Sequence, residues 1–154
     1  MSTTPEQTAD VLALRALVDR YASAVDARDA DAFAALFTPG AVLAVYESED
    51  ADPVVEYRGH EALRGVMGLL STYSSTFHLM ANHLCATAGA EATGEVYCMA
   101  HHLTEDAGGA TDLVMYIRYR DAYERTPGGW RFARRDVLRQ WTEERPAERR
   151  PLAL

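Results

Sequence analysis

The chain has 154 residues, of which 48% are apolar and 25% charged, a composition typical of one soluble globular domain. Its net charge of −8 at pH 7 argues against a nucleic-acid partner, because binding to phosphates requires a basic surface. No apolar run approaches the roughly 18 residues of a membrane span, and the first residues lack the basic and apolar regions of a signal peptide. We therefore expect a cytoplasmic protein with no nucleic-acid or membrane partner.

The first part of the chain predicts helices. Thr4, Pro5 and Gln7 supply an N-cap, a first-turn proline and a capping box. The apolar residues that follow recur at spacings of three and four, which predicts one buried helix face. They are Val11, Leu14, Val18, Tyr21 and Val25. A second short helix is expected at 30–37, stopped by a Pro-Gly pair, and a third begins at Gly59.

Strand patterns with turn signals dominate the rest of the chain. Strands are expected at 41–47, 54–57, 77–87, 95–103, 113–123 and 130–141. Helices followed by hairpins favour the α+β class. We expect a cone-shaped α+β barrel, with three N-terminal helices on the concave face of a strongly bent, mostly antiparallel sheet. Residues 1–144 would form this single domain, and 145–154 a flexible C-terminal tail.

Two polar residues stand out because each is unfavourable where it lies. Asp26 is near the C-terminal end of the first helix, where the helix dipole disfavours a negative charge. His78 lies between apolar residues of a strand. Pairing would resolve both problems, so we expect a side-chain contact within about 3.2 Å. The alternatives are a solvated helix-end acid for Asp26 and a satisfied core or edge histidine for His78.

Strand alternation predicts which face of the sheet the other strand histidines occupy. Neighbours on a strand face opposite sides, so only one of His101 and His102 can enter a pocket. His83, five residues after His78, is expected on the opposite face. A catalytic zinc needs about three converging protein ligands, and this pattern supplies only one inward histidine per strand. We therefore expect no metal and no other cofactor.

Several sequence segments carry a resemblance to a known family. They are Tyr21-Ala22-x-x-Val25-Asp26-x-x-Asp29, Leu36-Phe37, Tyr57-Arg58-Gly59, Phe77-His78, the run Gly94 to His102, and Tyr123 followed by Gly129-Trp130-Arg131-Phe132. Over about residues 8 to 144 the chain resembles SnoaL-like proteins of the nuclear-transport-factor-two-like superfamily. That group includes scytalone dehydratase, hexachlorocyclohexane dehydrochlorinase, ketosteroid isomerase and small polyketide cyclases.

The resemblance implies roles for individual residues. Asp26 and His78 match the aspartate and histidine that act together in the dehydratase and dehydrochlorinase branch. By the same resemblance, His102 and Tyr46 are candidates for the second histidine and the strand tyrosine of scytalone dehydratase. Val25 stands where scytalone dehydratase has a tyrosine, so scytalone itself is not the expected substrate.

Further candidates would bind the substrate rather than take part in proton transfer. They are Tyr21, Val25 and His101, with core packing as the alternative for Tyr21.

The residue types then suggest a reaction. A carboxylate bonded to one imidazole nitrogen fixes the tautomer and leaves the other nitrogen as a base. We hypothesise a cofactor-independent lyase, which eliminates water or another leaving group from a small cyclic or polyketide-like substrate. One alternative is a polyketide cyclase or isomerase using the same pocket. Another is a protein that binds a hydrophobic ligand without turnover.

The strand at 113–123 also predicts an assembly, because it carries apolar residues on both faces. Leu113, Met115 and Ile117 share one face, and Val114 and Tyr116 share the other. One face can line the core, and the other then needs a partner, since large exposed apolar patches are rare on monomers. We expect a homodimer through the outer face of the sheet.

Overall fold

The structure, a computed structural model, describes residues 4–148. Helices and strands follow one another in the order α1 (Pro5–Asp26), α2 (Ala30–Ala34), β1 (Phe37–Tyr46), β2 (Val55–Arg58), α3 (Gly59–Arg64), α4 (Val66–Leu70), β3 (Ser75–Ala88), β4 (Glu91–Asp106), β5 (Gly109–Thr126) and β6 (Gly129–Ala147). The capping box at the start of α1 is present. The Thr4 hydroxyl accepts a hydrogen bond from the Gln7 backbone N–H, and the Gln7 side chain accepts one from Thr4 N–H.

The six strands form one curved, unclosed sheet in the order β2-β1-β6-β5-β4-β3. The β1–β6 pair is parallel and the other neighbouring pairs are antiparallel. The long strands β3 to β6 follow each other as hairpins, since their connections are short turns. The α+β prediction is therefore confirmed.

The hydrophobic core lies between α1 and the inner face of the sheet. Leu14, Leu17 and Val18 of α1 are fully buried there, against the strand residues Val96 and Phe132. The same α1 face ends at Asp26, so the packing of the stripe fixes where this carboxylate meets the sheet.

Some element boundaries differ from the predicted ones. The second helix ends at Ala34, and β1 begins at Phe37 and runs through the Pro39-Gly40 pair. Phe37 is buried beside Phe33 and Phe132, so burial of this ring overrides the helical continuation. The predicted third helix is two short helices, α3 and α4, which meet at Gly65.

The last strand is longer than the sequence predicts. β6 continues through Ala147, which pairs with Ala110, and Arg145 pairs with Asp112. The first residues of the expected tail therefore belong to the sheet. Residues 149–154 of that expected tail lie outside the described residues.

One irregularity in β3 changes which face a histidine occupies. The pairing of β3 with β4 shifts register between Met80 and His83. Arg15 of α1 donates hydrogen bonds to the carbonyls at this bulge, 3.0 Å to Met80 O and 2.6 Å to Ala81 O. Because a bulge resets the alternation of side chains, His83 lies on the inner face, 3.2 Å from the Tyr123 hydroxyl. The expectation of an outward His83 is wrong.

No helix within residues 4–148 is both long enough and apolar enough to cross a membrane.

Candidate active site

The end of α1 meets β3 through a carboxylate and an imidazole. Asp26 Oδ1 lies 2.7 Å from His78 Nδ1, and Asp26 Oδ2 accepts the His78 backbone N–H at 2.9 Å. One carboxylate thus holds both the side chain and the backbone of the same residue. The expected side-chain contact between Asp26 and His78 is present, and its 2.7 Å lies within the expected hydrogen-bond distance of about 3.2 Å.

Thr76 completes the set of donors around Asp26. Its hydroxyl donates to Asp26 Oδ1 at 2.8 Å. Burial alone would raise the pKa of Asp26, but hydrogen bonds from the His78 side chain and backbone, together with Thr76, outweigh it and lower the pKa. Asp26 is therefore ionised at neutral pH. Thr76 was missing from the sequence prediction, although its position two residues before His78 puts it on the same strand face.

The contact with Asp26 decides which nitrogen of His78 is available. An ionised carboxylate can only accept hydrogen bonds. In its neutral form, His78 therefore carries its proton on Nδ1 and a lone pair on Nε2. The hydrogen bonds of His78 to the described residues involve its backbone N–H and Nδ1, not Nε2. The side chain is only 6% exposed. His78 is thus an oriented, largely buried imidazole.

His102 lies beside His78 on the same face, with the ring centres 5.7 Å apart. Its Nδ1 lies 3.2 Å from Ala100 O and 3.3 Å from Leu113 O, so Nδ1 carries the proton and Nε2 a lone pair. Burial, and then the neighbouring His78, lower the pKa of His102. The ring is therefore neutral at pH 7. Tyr73 packs on it at a ring-centre distance of 4.7 Å.

The structure does not bring Tyr46 to this pair. Val45 packs against the core, so its neighbour Tyr46 faces the outer side of the sheet. The Tyr46 hydroxyl accepts a hydrogen bond from Arg134 at 3.0 Å. The expectation that Tyr46 assists the pair is therefore corrected: the core-facing residues of β1 are Ala41, Leu43 and Val45, so Tyr46 points to the opposite face.

His101 also lies away from the site, on the outer face. It forms a separate contact, 2.8 Å from Nδ1 to Asp112 Oδ2, and its ring meets Phe77 edge-on. Alternation along β4 gives His102 the inner position and His101 the outer one. The structure thus answers which of the two enters the interior, and it removes His101 from the candidate substrate-binding residues.

Tyr21 and Val25 lie in the hydrophobic core. Val25 is 2% exposed. The Tyr21 ring packs against Phe33 and against the guanidinium of Arg135, 4.2 Å from the ring centre. Tyr21 therefore follows the core-packing alternative, and Val25 lies in the same core.

A second buried polar centre lies deeper in the fold and was not predicted. The side chains of Arg135 and Asp121 are both fully buried and form a bidentate ion pair. Arg135 Nε lies 2.8 Å from Asp121 Oδ1, and Nη2 lies 2.7 Å from Oδ2. The Tyr123 hydroxyl also donates to Asp121, at 2.7 Å. Nη1 of Arg135 has no acceptor among the described residues. Sequence patterns could not find this pair, because it depends on the register between β5 and β6.

Two other kinds of chemistry, a cysteine nucleophile and a metal site, can be assessed from the structure. Burial raises the pKa of the Cys98 thiol to about 11, so this thiol is protonated at neutral pH and is a poor nucleophile. Within residues 4–148, no group of three or more His, Cys, Asp or Glu side chains is arranged to hold a metal ion.

The fold and the sequence together define the class of protein. A family model of the SnoaL-like domain matches residues 6–136, and the chain belongs to this family. No curated protein is significantly similar to the chain in sequence.

Solved structures with the same fold are known from several bacteria. A hexachlorocyclohexane dehydrochlorinase, LinA type 2, superposes with a TM-score of 0.79 at 18% identity, over 96% of this chain and 97% of its own. A proposed scytalone dehydratase from Novosphingobium aromaticivorans has a TM-score of 0.76 at 20% identity, over 92% and 93%. A variant of Rv3472, a Mycobacterium tuberculosis protein of unknown function, has a TM-score of 0.75 at 24% identity, over 91% and 78%. At these identities the likeness concerns the fold.

Proposed function

We propose that the protein is a cofactor-independent lyase, in which His78 removes a proton next to a carbonyl and a leaving group then departs. The observation that carries this proposal is the 2.7 Å contact between Asp26 and His78, which leaves Nε2 of a buried imidazole as the free base. The dehydratase and dehydrochlorinase among the proteins of the same fold support the same class of reaction.

The first step transfers one proton. His78 Nε2 takes the proton from the substrate carbon, the C–H electron pair moves toward the carbonyl, and Asp26 stabilises the imidazolium that forms. A positioned general base of this kind contributes about 10²–10⁴-fold to the rate.

The second step returns that proton to the leaving group. His102 is neutral, and its own proton is directed at the backbone carbonyls of Ala100 and Leu113. It therefore acts as an acceptor, which orients a substrate hydroxyl. The imidazolium of His78 is then the donor: the C–O bond breaks, the double bond forms, and water leaves with the proton that His78 had taken. Both steps occur on one face of the substrate.

This arrangement indicates a substrate class. The rings of His78 and His102 are neighbours on the inner face, 5.7 Å apart, and each engages its Nδ1 with the protein. In the proposed reaction one bound molecule therefore presents an acidic C–H to His78 and a hydrogen-bond donor to His102. A small cyclic ketone with a hydroxyl in the β position meets both demands. Such rings are common among polyketide-like molecules.

The experiment is turnover of a panel of cyclic β-hydroxyketones, such as hydroxycyclohexanone and hydroxytetralone, followed by mass spectrometry. We expect products lighter by one water, and a rate at least about 100-fold lower in His78→Ala. His101→Ala is the matched control, because His101 is also paired with an aspartate but lies on the outer face. Products of unchanged mass would indicate a cyclase or isomerase instead. Binding without turnover across the panel would indicate a ligand-binding protein, and either result would overturn the lyase proposal.

A further inference from the structure

Arg28 occupies a backbone conformation that is unusual for a residue with a side chain. It follows the end of α1 with a φ of 57°, in the left-handed region that favours glycine. Such a conformation persists only where the surroundings hold it in place. The side chain of Arg28 supplies those contacts, because its guanidinium reaches three separate segments of the chain.

One branch of the guanidinium acts on Thr76. Arg28 Nη1 donates to Thr76 Oγ1 at 2.6 Å and to Val25 O at 2.9 Å. A hydroxyl has a single proton. Since Thr76 Oγ1 accepts from Arg28, that proton is directed at its other neighbour, Asp26 Oδ1, 2.8 Å away. The donors therefore run in one direction, from Arg28 through Thr76 to the carboxylate that holds His78.

The other branch acts on the segment above His102. Arg28 Nη2 donates to Leu70 O at 3.0 Å, the carbonyl of the last residue of α4. Three residues later Tyr73 packs on the ring of His102. Arg28 is thus joined both to the Asp26 side of the candidate site and to the turn that covers His102.

We propose that Arg28 is a positioning residue, which fixes the direction of the Thr76 hydroxyl proton and thereby the carboxylate of Asp26. The effect of Arg28 on catalysis rests on the proposed function, whereas its contacts do not. Among the described residues the Arg28 guanidinium makes no hydrogen bond to His78 or to His102, so its hydrogen bonds reach the site through Thr76 and Leu70. Besides burial and His78, its positive charge also acts on His102 through space and contributes to the lowered pKa of that ring.

The test compares Arg28→Gly with Thr76→Val. Glycine relieves the strain at a φ of 57° and removes the guanidinium, so the variant is expected to fold. Valine has the shape of threonine but lacks the hydroxyl. The readout is the pKa of the Asp26 carboxyl, followed by NMR on carbon-labelled aspartate. Thr87→Val, farther along the same strand, is the matched control.

The expected result is a higher Asp26 pKa in both variants, with the double variant no higher than Thr76→Val, because the arginine acts through the threonine. Thr87→Val is expected to leave the Asp26 pKa unchanged. An Arg28→Gly protein with the wild-type Asp26 pKa would overturn the inference, as would a double variant whose shift is the sum of the two single shifts.

Turnover separates this inference from the proposed function. If the lyase proposal holds, we expect both variants to lose about tenfold or more in kcat, since small displacements at the reacting groups are costly. An intact kcat in Arg28→Gly, with an active wild type, would overturn the catalytic part of the inference. An inactive wild type whose Asp26 pKa still responds to Arg28→Gly would refute the lyase proposal and support the positioning contact.

Discussion

His78 and His102 have different environments although their rings are neighbours. His78 is held by a carboxylate, whereas His102 meets only backbone carbonyls through Nδ1. A buried imidazole without a negative partner is more stable in its neutral form. This difference is what divides the two residues into a base and an acceptor in the proposed reaction.

The environment of His102 predicts a pH dependence of stability. Burial lowers its pKa in the folded protein below the ordinary value of 6.5. As the pH falls below about 6.5, the unfolded chain binds a proton at this position and the folded protein does not, so the free energy of unfolding decreases. Removing the titrating group with His102→Asn should flatten this dependence, and urea unfolding between pH 7 and about 5 measures it.

His83 shifts stability in the same direction, because burial lowers its pKa as well. It is present in both proteins, so the difference between wild type and His102→Asn isolates His102. Equal slopes for the two proteins would contradict the assignment of His102 as a buried neutral ring.

The residues of the site differ in how far sequence reasoning could reach them. Asp26 and His78 are predictable because each is unfavourable alone where it lies, and local sequence patterns are enough to show this. The outward position of Tyr46 and the choice between His101 and His102 could not be predicted, because alternation does not tell which set of side chains of a strand faces the core. Arg28 has no signal in the local sequence, since its hydrogen bonds reach residues 42 and 48 positions away.

At the level of elements, the bulge in β3 reverses the alternation of inward and outward side chains between the two halves of this strand. It allows His78 and His83 to face the same side, and Arg15 ties its carbonyls to α1. Sequence alternation carries no signal for such a bulge. Helix α1, in contrast, was predictable from its stripe and capping box, because both depend on nearby residues only.

The contact between α1 and this bulge predicts a loss of stability on mutation. Arg15→Met keeps the aliphatic stem but removes both hydrogen bonds to Met80 O and Ala81 O, so we expect a loss of about 1–2 kcal/mol in the free energy of unfolding. The exposed Arg20, on the same helix, provides the control variant Arg20→Met. Urea unfolding compares the two, and equal effects would show that the bulge does not depend on Arg15.

For the whole molecule, the outer face of the sheet carries exposed apolar side chains. Phe77, Leu79, Leu84, Tyr97 and Trp141 are between 39% and 67% exposed. A groove of about 440 Å³ on this face runs between Tyr97, Tyr116 and Trp141. Faces of this kind are seldom left open to water. We propose that a second copy of the chain covers it, as the two-faced pattern of β5 led us to expect.

Light scattering at micromolar concentration tests the homodimer. The wild type is expected at twice the chain mass, and Leu79→Arg should shift it toward one chain, because a charge would be buried in the contact. Leu12→Arg is the control, since Leu12 is similarly exposed but lies on α1. A monomeric wild type would refute the proposed assembly.

The central claim is that Asp26 and His78 act as one unit to abstract a proton, and proton exchange tests it without any leaving group. The measurement is the exchange of α-protons of cyclohexanone or tetralone in heavy water, followed by NMR. We expect exchange in wild type and in His101→Ala, a rate at least about 100-fold lower in Asp26→Asn and in His78→Ala, and a double variant no slower than the worse single one. Wild-type exchange rates in His78→Ala, or losses that multiply in the double variant, would contradict the claim.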